Sequence, residues 1–198
     1  MAAEAAPFKV SSLNGKVALV TGASSGIGAS TSILFAKLGA KLALNGRDME
    51  NLTKTAKQCK VAGQSEPLLV PGDLMDEDTA KKTIEKTVDH YGRLDVLINS
   101  AGILVMGSIE TTDMEQYDRV MNTNVRSVYH LTHLAVPHLV NSKGCIVNVS
   151  SVNGQRSFPG VLAYCMSKSA IDQFTRCTAL VSREMQRDSC TWKTRGSG

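Results

Sequence analysis

The chain has 198 residues, of which 42% are hydrophobic and 20% charged, a composition typical of one globular domain with a sizeable core. Its net charge of +4 includes no basic run that could follow a phosphate backbone, which argues against nucleic acid as a partner. Residues 1–14 lack a signal-peptide pattern, and no apolar run approaches the roughly 20 residues that span a bilayer. We therefore expect neither secretion nor membrane insertion.

Short apolar runs alternate with helical patterns along the chain. The runs predict five strands, at residues 16–22, 41–46, 67–73, 94–102 and 144–151. The intervening patterns predict helices at 27–40, from a cap at Asp48 to about 61, at 77–91, at 113–140 with a break expected near 122–124, and at about 161–180. Alternation of this kind, with strands apolar on both faces, predicts an α/β fold: a three-layer, Rossmann-like, doubly wound parallel sheet.

The cysteines and histidines do not suggest a disulfide framework or a metal site. The five cysteines are odd in number and form no CxxC motif, so a reducing compartment is expected, and the cytoplasm fits. Three histidines share one predicted helix without an apparent further ligand, so we predict packing or surface roles and no metal. The cysteines are Cys59, Cys145, Cys165, Cys177 and Cys190, and the histidines are His130, His133 and His138.

A glycine-rich turn, TGASSGIG at 21–28, lies where the first predicted strand meets the first predicted helix. Its three glycines permit a tight turn, close approach of the backbone to a ligand, and close packing of the helix against the strand. The free N–H groups and the positive dipole end of the helix would then face a pyrophosphate. The turn predicts a dinucleotide site formed by Gly22, Ser24, Ser25, Gly26, Ile27 and Gly28.

The glycine spacing TGxxxGxG resembles that of the short-chain dehydrogenase/reductase family, and the resemblance covers about residues 14–180. It implies an NAD(P)-dependent oxidoreductase that transfers a hydride between nicotinamide and a carbonyl or alcohol carbon of a small molecule. On this interpretation, residues 1–13 are an N-terminal extension, 14–180 form an NADP-binding domain that also carries the catalytic residues, and 181–198 are a divergent tail.

The end of the second strand, LNGRD, favours NADP(H) over NAD(H). Gly46 stands where NAD-binding proteins generally place an acid that holds the ribose 2′-hydroxyl. Arg47 follows it and can pair with a 2′-phosphate through its fork of donors. Asp48 is the alternative acid, but capping of the next helix explains it.

Two more strand ends complete the cofactor site that the resemblance implies. Asp73 and Leu74 would contact the adenine, although Asp73 could instead cap the following helix. The stretch NSAG at 99–102 is similar to the family's NNAG motif. In it, Asn99 would support the central strands, and Ala101 and Gly102 would let the ribose approach the backbone.

Tyr164 and Lys168 are four residues apart and would share one face of the last predicted helix. A phenol has a pKa of about 10, and a neighbouring ammonium lowers that pKa toward the range of acid–base catalysis. Ser151 lies thirteen residues before Tyr164, at the end of the fifth strand, where ligands of parallel sheets bind. Ser150 is the neighbouring candidate, but the spacing favours Ser151.

The resemblance implies a role for each member of this set. Tyr164 would be the general acid in reduction or the general base in oxidation, and Ser151 would orient the substrate oxygen. Lys168 would lower the tyrosine pKa, and Lys168 and Tyr164 would both contact the cofactor. Asn124, in NTNV, matches a family asparagine that holds a water in a proton relay, with Asn122 as the local alternative.

The sequence after about residue 180 is polar, has mixed charge and contains no strand pattern, so we predict disorder there. Family members usually continue with further strands and a loop that covers the substrate. The resemblance therefore implies a C-terminally truncated form whose fifth strand is an open apolar edge. The alternative function is a non-catalytic variant that acts as a cofactor-binding or oligomer-interaction module, with homo-oligomers formed through helices 113–140 and 161–180.

Overall fold

The computed structural model describes the backbone of residues 12–185 and the side chains of residues 12–180. Five parallel strands form one sheet in the order β3-β2-β1-β4-β5. This confirms the predicted doubly wound α/β fold. The strands are β1 (Val17–Val20), β2 (Lys41–Gly46), β3 (Leu68–Pro71), β4 (Val96–Asn99) and β5 (Cys145–Asn148).

Six α-helices connect or follow the strands, as the alternating pattern predicted. They are α1 (Gly26–Lys37), α2 (Met49–Gly63), α3 (Glu77–Tyr91), α4 (Met114–Met121), α5 (Ser127–Ser142) and α6 (Leu162–Met185). The last helix continues five residues past its predicted end at 180, so the first residues assigned to the tail are helical. The rest of the predicted tail, and the predicted N-terminal extension up to residue 11, lie outside the described residues.

The strand order brings ligand-binding loops together at one place. The chain runs outward from β1 through β2 to β3 and then crosses back to start β4 on the other side of β1. The loops after β1 and β4 therefore diverge at a topological switch point, where the carboxyl ends of parallel strands leave a crevice. Both loops carry predicted cofactor residues.

The core has two halves, one on each face of the sheet. Successive strand residues point to opposite faces, so Val20 and Leu44 pack with α1 and α2 on one side. Leu19, Leu97 and Ile146 pack with α3 and α5 on the other. Within residues 12–185, β5 pairs with β4 alone, and its residues alternate between half-buried and buried.

A buried charged group ties the amino ends of β1 and β4 together, at the edge away from the crevice. Asp95 accepts hydrogen bonds from the Val17 N–H at 3.0 Å, from Lys16 Nζ at 3.0 Å, and from Arg93 Nε and Nη2 at 2.7 and 2.6 Å. Burial opposes ionisation of Asp95, but the bonds from Arg93, Val17 and Lys16 outweigh it, so the Asp95 pKa lies below its usual value.

The long helical segment predicted at 113–140 is interrupted but not broken. Between α4 and α5 the residues Asn122–Arg126 form a π-helical turn, and the helix axis continues through it. π-turns occur mostly as single-turn insertions in α-helices and frequently at functional sites. Here the turn contains Asn124, the predicted relay residue.

Candidate active site

The turn after β1 requires glycine for two separate reasons. Gly22 has a φ of +64°, and a Cβ there would lie 2.9 Å from the Ala101 backbone. A Cβ on Gly28 would collide with the carbonyl oxygen of Gly22, so α1 can pack on the turn only without a side chain. Ser25 caps α1 without a side-chain hydrogen bond, which leaves the N–H groups of the first helical turn facing the crevice.

A cavity of about 510 Å³ opens at this turn, and most of the predicted cofactor residues line it. The predicted cofactor residues outside the lining are Gly28 and Asn99, which are buried, and Tyr164 and Lys168 on α6. The predicted residues in the lining are Gly22, Ser24, Ser25, Gly26, Ile27, Arg47, Asp73, Leu74, Ala101 and Gly102. Residues in the lining that the sequence analysis did not assign to the cofactor include Asn45, Gly46, Ser100, Thr123 and Ser127.

The end of β2 explains why no acid stands at Gly46. A Cβ on Gly46 would collide with Oγ of Ser24, which itself donates to the carbonyl of Asp48 at 3.2 Å. Asp48 caps α2, because its carboxylate accepts from the Asn51 N–H at 3.0 Å and from Asn51 Nδ2 at 2.5 Å. These bonds from Asn51 lower the Asp48 pKa. The structure thus supports the capping interpretation of Asp48.

Arg47 stands at the mouth of the cavity, where its guanidinium is partly exposed. Its Nη1 lies 3.3 Å from Oδ2 of Asp73, whose Oδ1 accepts from the Met75 N–H at 3.0 Å. Asp73 does not cap α3, because Asp76 does so: its carboxylate accepts from the N–H of Thr79, the third helical residue, at 3.0 Å. The alternative capping role considered for Asp73 is therefore wrong.

The strand end before Gly102 is held by neighbouring side chains. Asn99 donates through Nδ2 to Oδ1 of Asn148 at 2.8 Å and to Oγ1 of Thr132 at 3.2 Å, which links β4 to β5 and α5. Thr21 accepts from the Ser100 and Ala101 N–H groups at 3.0 and 3.1 Å. Sequence reasoning missed Thr21, although a threonine that ends a strand beside a glycine turn is a recognisable position for such a bond.

Tyr164 and Lys168 share one face of α6, as their spacing predicted. Lys168 Nζ lies 5.6 Å from the centre of the Tyr164 ring and donates to the Val149 carbonyl at 2.9 Å. Lys168 is only 7% exposed. Burial lowers the Lys168 pKa, and the negative charge of Asp172 opposes that effect.

Gly102 links Lys168, the predicted catalytic lysine, to the cavity. A Cβ on Gly102 would lie 3.2 Å from Asn124 Oδ1 and 3.7 Å from Lys168 Nζ. The amino group therefore stands beside the cavity wall, at the backbone where the sequence analysis expected a ribose.

Asn124 is 1% exposed and its side chain joins three segments. Its Oδ1 accepts from the Ile103 N–H at 2.8 Å, and its Nδ2 donates to the Ile103 carbonyl at 2.8 Å and to Ser167 Oγ at 3.0 Å. The π-turn is thereby fixed to the loop after β4 and to α6. Asn122, the alternative, is half-buried, and no side-chain bond of this kind ties it to those segments among the described residues.

Ser151 begins a 3-10 turn, Val152–Gly154, at the carboxyl end of β5. Its Oγ accepts from the Asn153 N–H at 3.2 Å and lies 3.2 Å from Asn153 Oδ1. The neighbouring Ser150 Oγ is buried and has no partner among the described residues. Both serines belong to the same strand end, so the assignment of the catalytic hydroxyl to Ser151 stays a prediction from spacing.

Comparison with known proteins agrees with this geometry. The family model described as short chain dehydrogenase matches residues 16–186. The chain belongs to the short-chain dehydrogenase family.

Relatives in the family have several different names. The chain is 38% identical over 169 residues to 3-oxoacyl-[acyl-carrier-protein] reductase FabG of Thermotoga maritima, covering 84% of this chain and 68% of that protein. It is 37% identical over 163 residues to 11-beta-hydroxysteroid dehydrogenase-like 2 of Arabidopsis thaliana, covering 82% of this chain and 53% of that protein. It spans between 46% and 68% of the length of such curated relatives.

Solved structures show the same fold. A double mutant of the Serratia marcescens short-chain dehydrogenase/reductase superposes with a TM-score of 0.83 at 34% identity, covering 87% of this chain and 71% of that one. A short-chain type dehydrogenase/reductase from Mycobacterium marinum also reaches 0.83, at 27% identity, with coverage of 88% and 72%.

The loops after β4 and β5 meet in a bridge just before α6, in which the Gly107 N–H donates to the Gly160 carbonyl at 2.8 Å and the Leu162 N–H donates to the Gly107 carbonyl at 3.1 Å. Exposed apolar side chains on these two loops are Leu104, Met106, Val152 and Phe158.

Metal-binding residue types do not cluster in the described part of the chain. Among residues 12–180, no group of three or more His, Cys, Asp or Glu side chains could hold a metal ion. The four described cysteines form no disulfide with one another. Over the same range, no helix has the length and apolarity to cross a membrane.

Proposed function

We propose that this chain carries out, or forms part of a protein that carries out, NADP(H)-dependent oxidoreduction of a carbonyl or alcohol group on a small molecule. The observation that carries the proposal is the position of Gly102, whose backbone faces Lys168 Nζ on one side and belongs to the cofactor cavity on the other. That arrangement supports a role for the Tyr164–Lys168 pair at the end of a dinucleotide site.

The residues of the cavity fit a dinucleotide. The turn has no side chain at the positions where backbone and ligand would meet, and the first turn of α1 offers unpaired N–H groups to a pyrophosphate. Arg47 offers the guanidinium fork that a ribose 2′-phosphate requires, and Gly46 leaves the last position of β2 without an acid, while Asp48 and Asp73 also line the cavity. These features support NADP(H) in preference to NAD(H).

When bound, the nicotinamide supplies or accepts the hydride. The protein's own residues transfer the proton and orient the substrate oxygen. Tyr164 gives its phenolic proton to the substrate oxygen in reduction and takes a proton from the hydroxyl in oxidation. Ser151 donates a hydrogen bond that orients this oxygen. The Lys168 ammonium stabilises the tyrosinate and can bond the ribose hydroxyls. Asn124 fixes the π-turn against α6.

Nucleotide binding and turnover together test this proposal. Titration of the purified 198-residue chain with NADPH and with NADH, followed by nucleotide fluorescence, should show tighter binding of NADPH. A panel of ketones, aldehydes and oxoacyl thioesters should include at least one that is reduced with consumption of NADPH. Binding without turnover across the panel would instead identify the non-catalytic, cofactor-binding alternative, and equal affinity for both nucleotides would contradict the cofactor assignment.

We also propose self-association through α4, α5 and α6, in a reducing compartment such as the cytoplasm. Large apolar side chains are exposed on these helices, at Met114, Tyr129 and Met166. Exposed apolar groups concentrated on neighbouring helices favour burial against another surface. Light scattering of the chain should show a dimer or larger assembly, and Tyr129→Glu should shift it toward the monomer. A monomer at all concentrations would contradict the proposal.

A further inference from the structure

Asp172 is a buried carboxylate that the proposed reaction does not use. It lies on α6, one helical turn after Lys168, and is 5% exposed. Its Oδ2 has no hydrogen-bond partner among the described residues. Burial of an ionised carboxylate without a bonded partner is costly, and proteins retain such a group when its charge has a task or a counter-charge. A buried cation near Asp172 would provide such a counter-charge.

The 3-10 turn after β5 seals the carboxylate against α6. A Cβ on Gly154 would lie 2.5 Å from Asp172 Oδ2 and 3.0 Å from the Lys168 carbonyl, so the turn rests directly on this part of the helix. Ser169 Oγ donates to the Gly154 carbonyl at 2.7 Å and holds the turn in place. Because water is excluded there, the charge of Asp172 is weakly screened and acts over a longer range than at a surface.

Lys168 is the cation one helical turn away on the same face of α6, and both residues are buried, Lys168 at 7% and Asp172 at 5% exposure. The burial of Lys168 favours its neutral amine, and the attraction of Asp172 is the opposing influence on the Lys168 pKa. The other groups near the amino group are the Tyr164 ring on the same helix, the Val149 carbonyl just after β5, and Asn124 beside Gly102. None of these carries a negative charge while Tyr164 is protonated.

We propose that Asp172 is a positioning residue of the active site: its sealed carboxylate keeps the Lys168 ammonium charged beside Tyr164 and the cofactor cavity. A catalytic consequence of this contact rests on the proposed oxidoreductase function. Gly154 is part of this arrangement, because any side chain at that position would displace the 3-10 turn that covers the Asp172 carboxylate.

Asp172→Asn tests the charge while keeping the shape. We expect the titration midpoint of Lys168, followed by the ¹³Cε chemical shift of labelled lysine in the full chain, to move to lower pH by about one unit. The alkaline limb of the pH–rate profile should move in the same direction. Asp172→Glu, which restores the charge, should recover part of the shift. Asp89→Asn, at an exposed position on α3, is the matched control and should leave the midpoint unchanged.

A second variant that removes the charge keeps the test independent of how well Asp172→Asn folds. Asp172→Ser also removes the carboxylate, so the Lys168 midpoint, measured by the same ¹³Cε shift, should again move to lower pH. An unmoved Lys168 midpoint in whichever of the two variants folds would overturn the proposal.

Failure of the proposed function gives a different result from failure of this inference. If the chain reduces no carbonyl, the two NMR titrations still report the Asp172–Lys168 coupling directly. If turnover is present and both titrations are unmoved, the oxidoreductase proposal stands and Asp172 is only a packing residue.

Discussion

The glycine turn, which lines the cavity, and the predicted catalytic group, which adjoins it at Gly102, are built in different ways. The turn is a continuous stretch, 21–28, whose geometry follows from missing side chains at Gly22 and Gly28. The catalytic group is gathered from separate segments: Asn124 on a π-turn, Ser151 after β5, and Tyr164 with Lys168 on α6. The first depends on local backbone conformation and the second on tertiary packing.

This difference determines how each region should respond to mutation. A new side-chain atom at Gly22 or Gly28 would collide with backbone, so the damage is steric and appears in both folding and nucleotide binding. Loss of the Tyr164 hydroxyl leaves the backbone in place, so the damage is chemical and appears in turnover. The following variants separate these two responses.

The largest effect is expected for Tyr164→Phe. Removal of the phenolic proton should lower kcat by about 10²- to 10⁴-fold, the usual contribution of a general acid or base. NADPH affinity and the free energy of unfolding should stay near those of the wild type, because the ring is retained. Tyr117→Phe, on α4, is the matched control. Full turnover in Tyr164→Phe would show that another group transfers the proton.

Gly28→Ala should break the turn. The added methyl collides with the Gly22 carbonyl, and overpacking of this kind costs about 1–3 kcal/mol in the free energy of unfolding. Nucleotide binding should be lost with it. Gly15→Ala is the control, because Gly15 has a φ of +75° and open space around it. That control should lose about 1 kcal/mol of stability through backbone strain and bind NADPH normally.

Asp95→Asn should lower stability while leaving the cavity intact, because Asp95 lies at the opposite edge of the sheet. We expect a loss of about 1–3 kcal/mol at neutral pH from weakened charged hydrogen bonds. Since the folded pKa of Asp95 is depressed, its contribution is present above the unfolded pKa of about 3.9 and is lost as pH falls through the folded pKa.

Unfolding of Asp95→Asn and the wild type by urea between pH 7 and pH 3 checks this expectation. The difference in unfolding free energy between the wild type and Asp95→Asn should become smaller as the pH falls toward 3. A gap that stays constant with pH would mean that the ionised form of Asp95 is not what the network stabilises. Asp118→Asn, at an exposed position on α4, supplies the baseline.

Arg47→Ala should have the smallest effect. Its guanidinium is partly exposed, so loss of one charged contact should weaken NADPH binding by about tenfold, with NADH affinity unchanged. Paired titrations with the two nucleotides measure the ratio, and Arg119→Ala is the exposed control. Equal weakening of both nucleotides would place Arg47 near the pyrophosphate or adenine instead.

Much of the fold was predictable because its signals are local. Apolar runs and caps placed β2 at 41–46 and α3 at 77–91, as found. The π-turn was anticipated only as an interruption near 122–124, because its geometry depends on bonds from Asn124 to Ile103 and Ser167, which are distant in sequence. The cap of α3 was uncertain for a similar reason, since Asp73 and Asp76 are both plausible from sequence alone.

The sequence by itself determined the alternation of strands and helices, the glycine turn and the identity of the candidate catalytic residues, because each depends on spacing along the chain. Only the tertiary structure decided that Gly102 adjoins Lys168, that Arg47 faces Asp73, and that Gly154 closes over Asp172. Those contacts join segments far apart in the chain. The contacts at Gly102 and Gly154 are set by how α6 packs against the rest of the fold, and the contact between Arg47 and Asp73 is set by the pairing of β2 with β3. Charge effects on Lys168 follow from that packing and so could not be deduced from spacing.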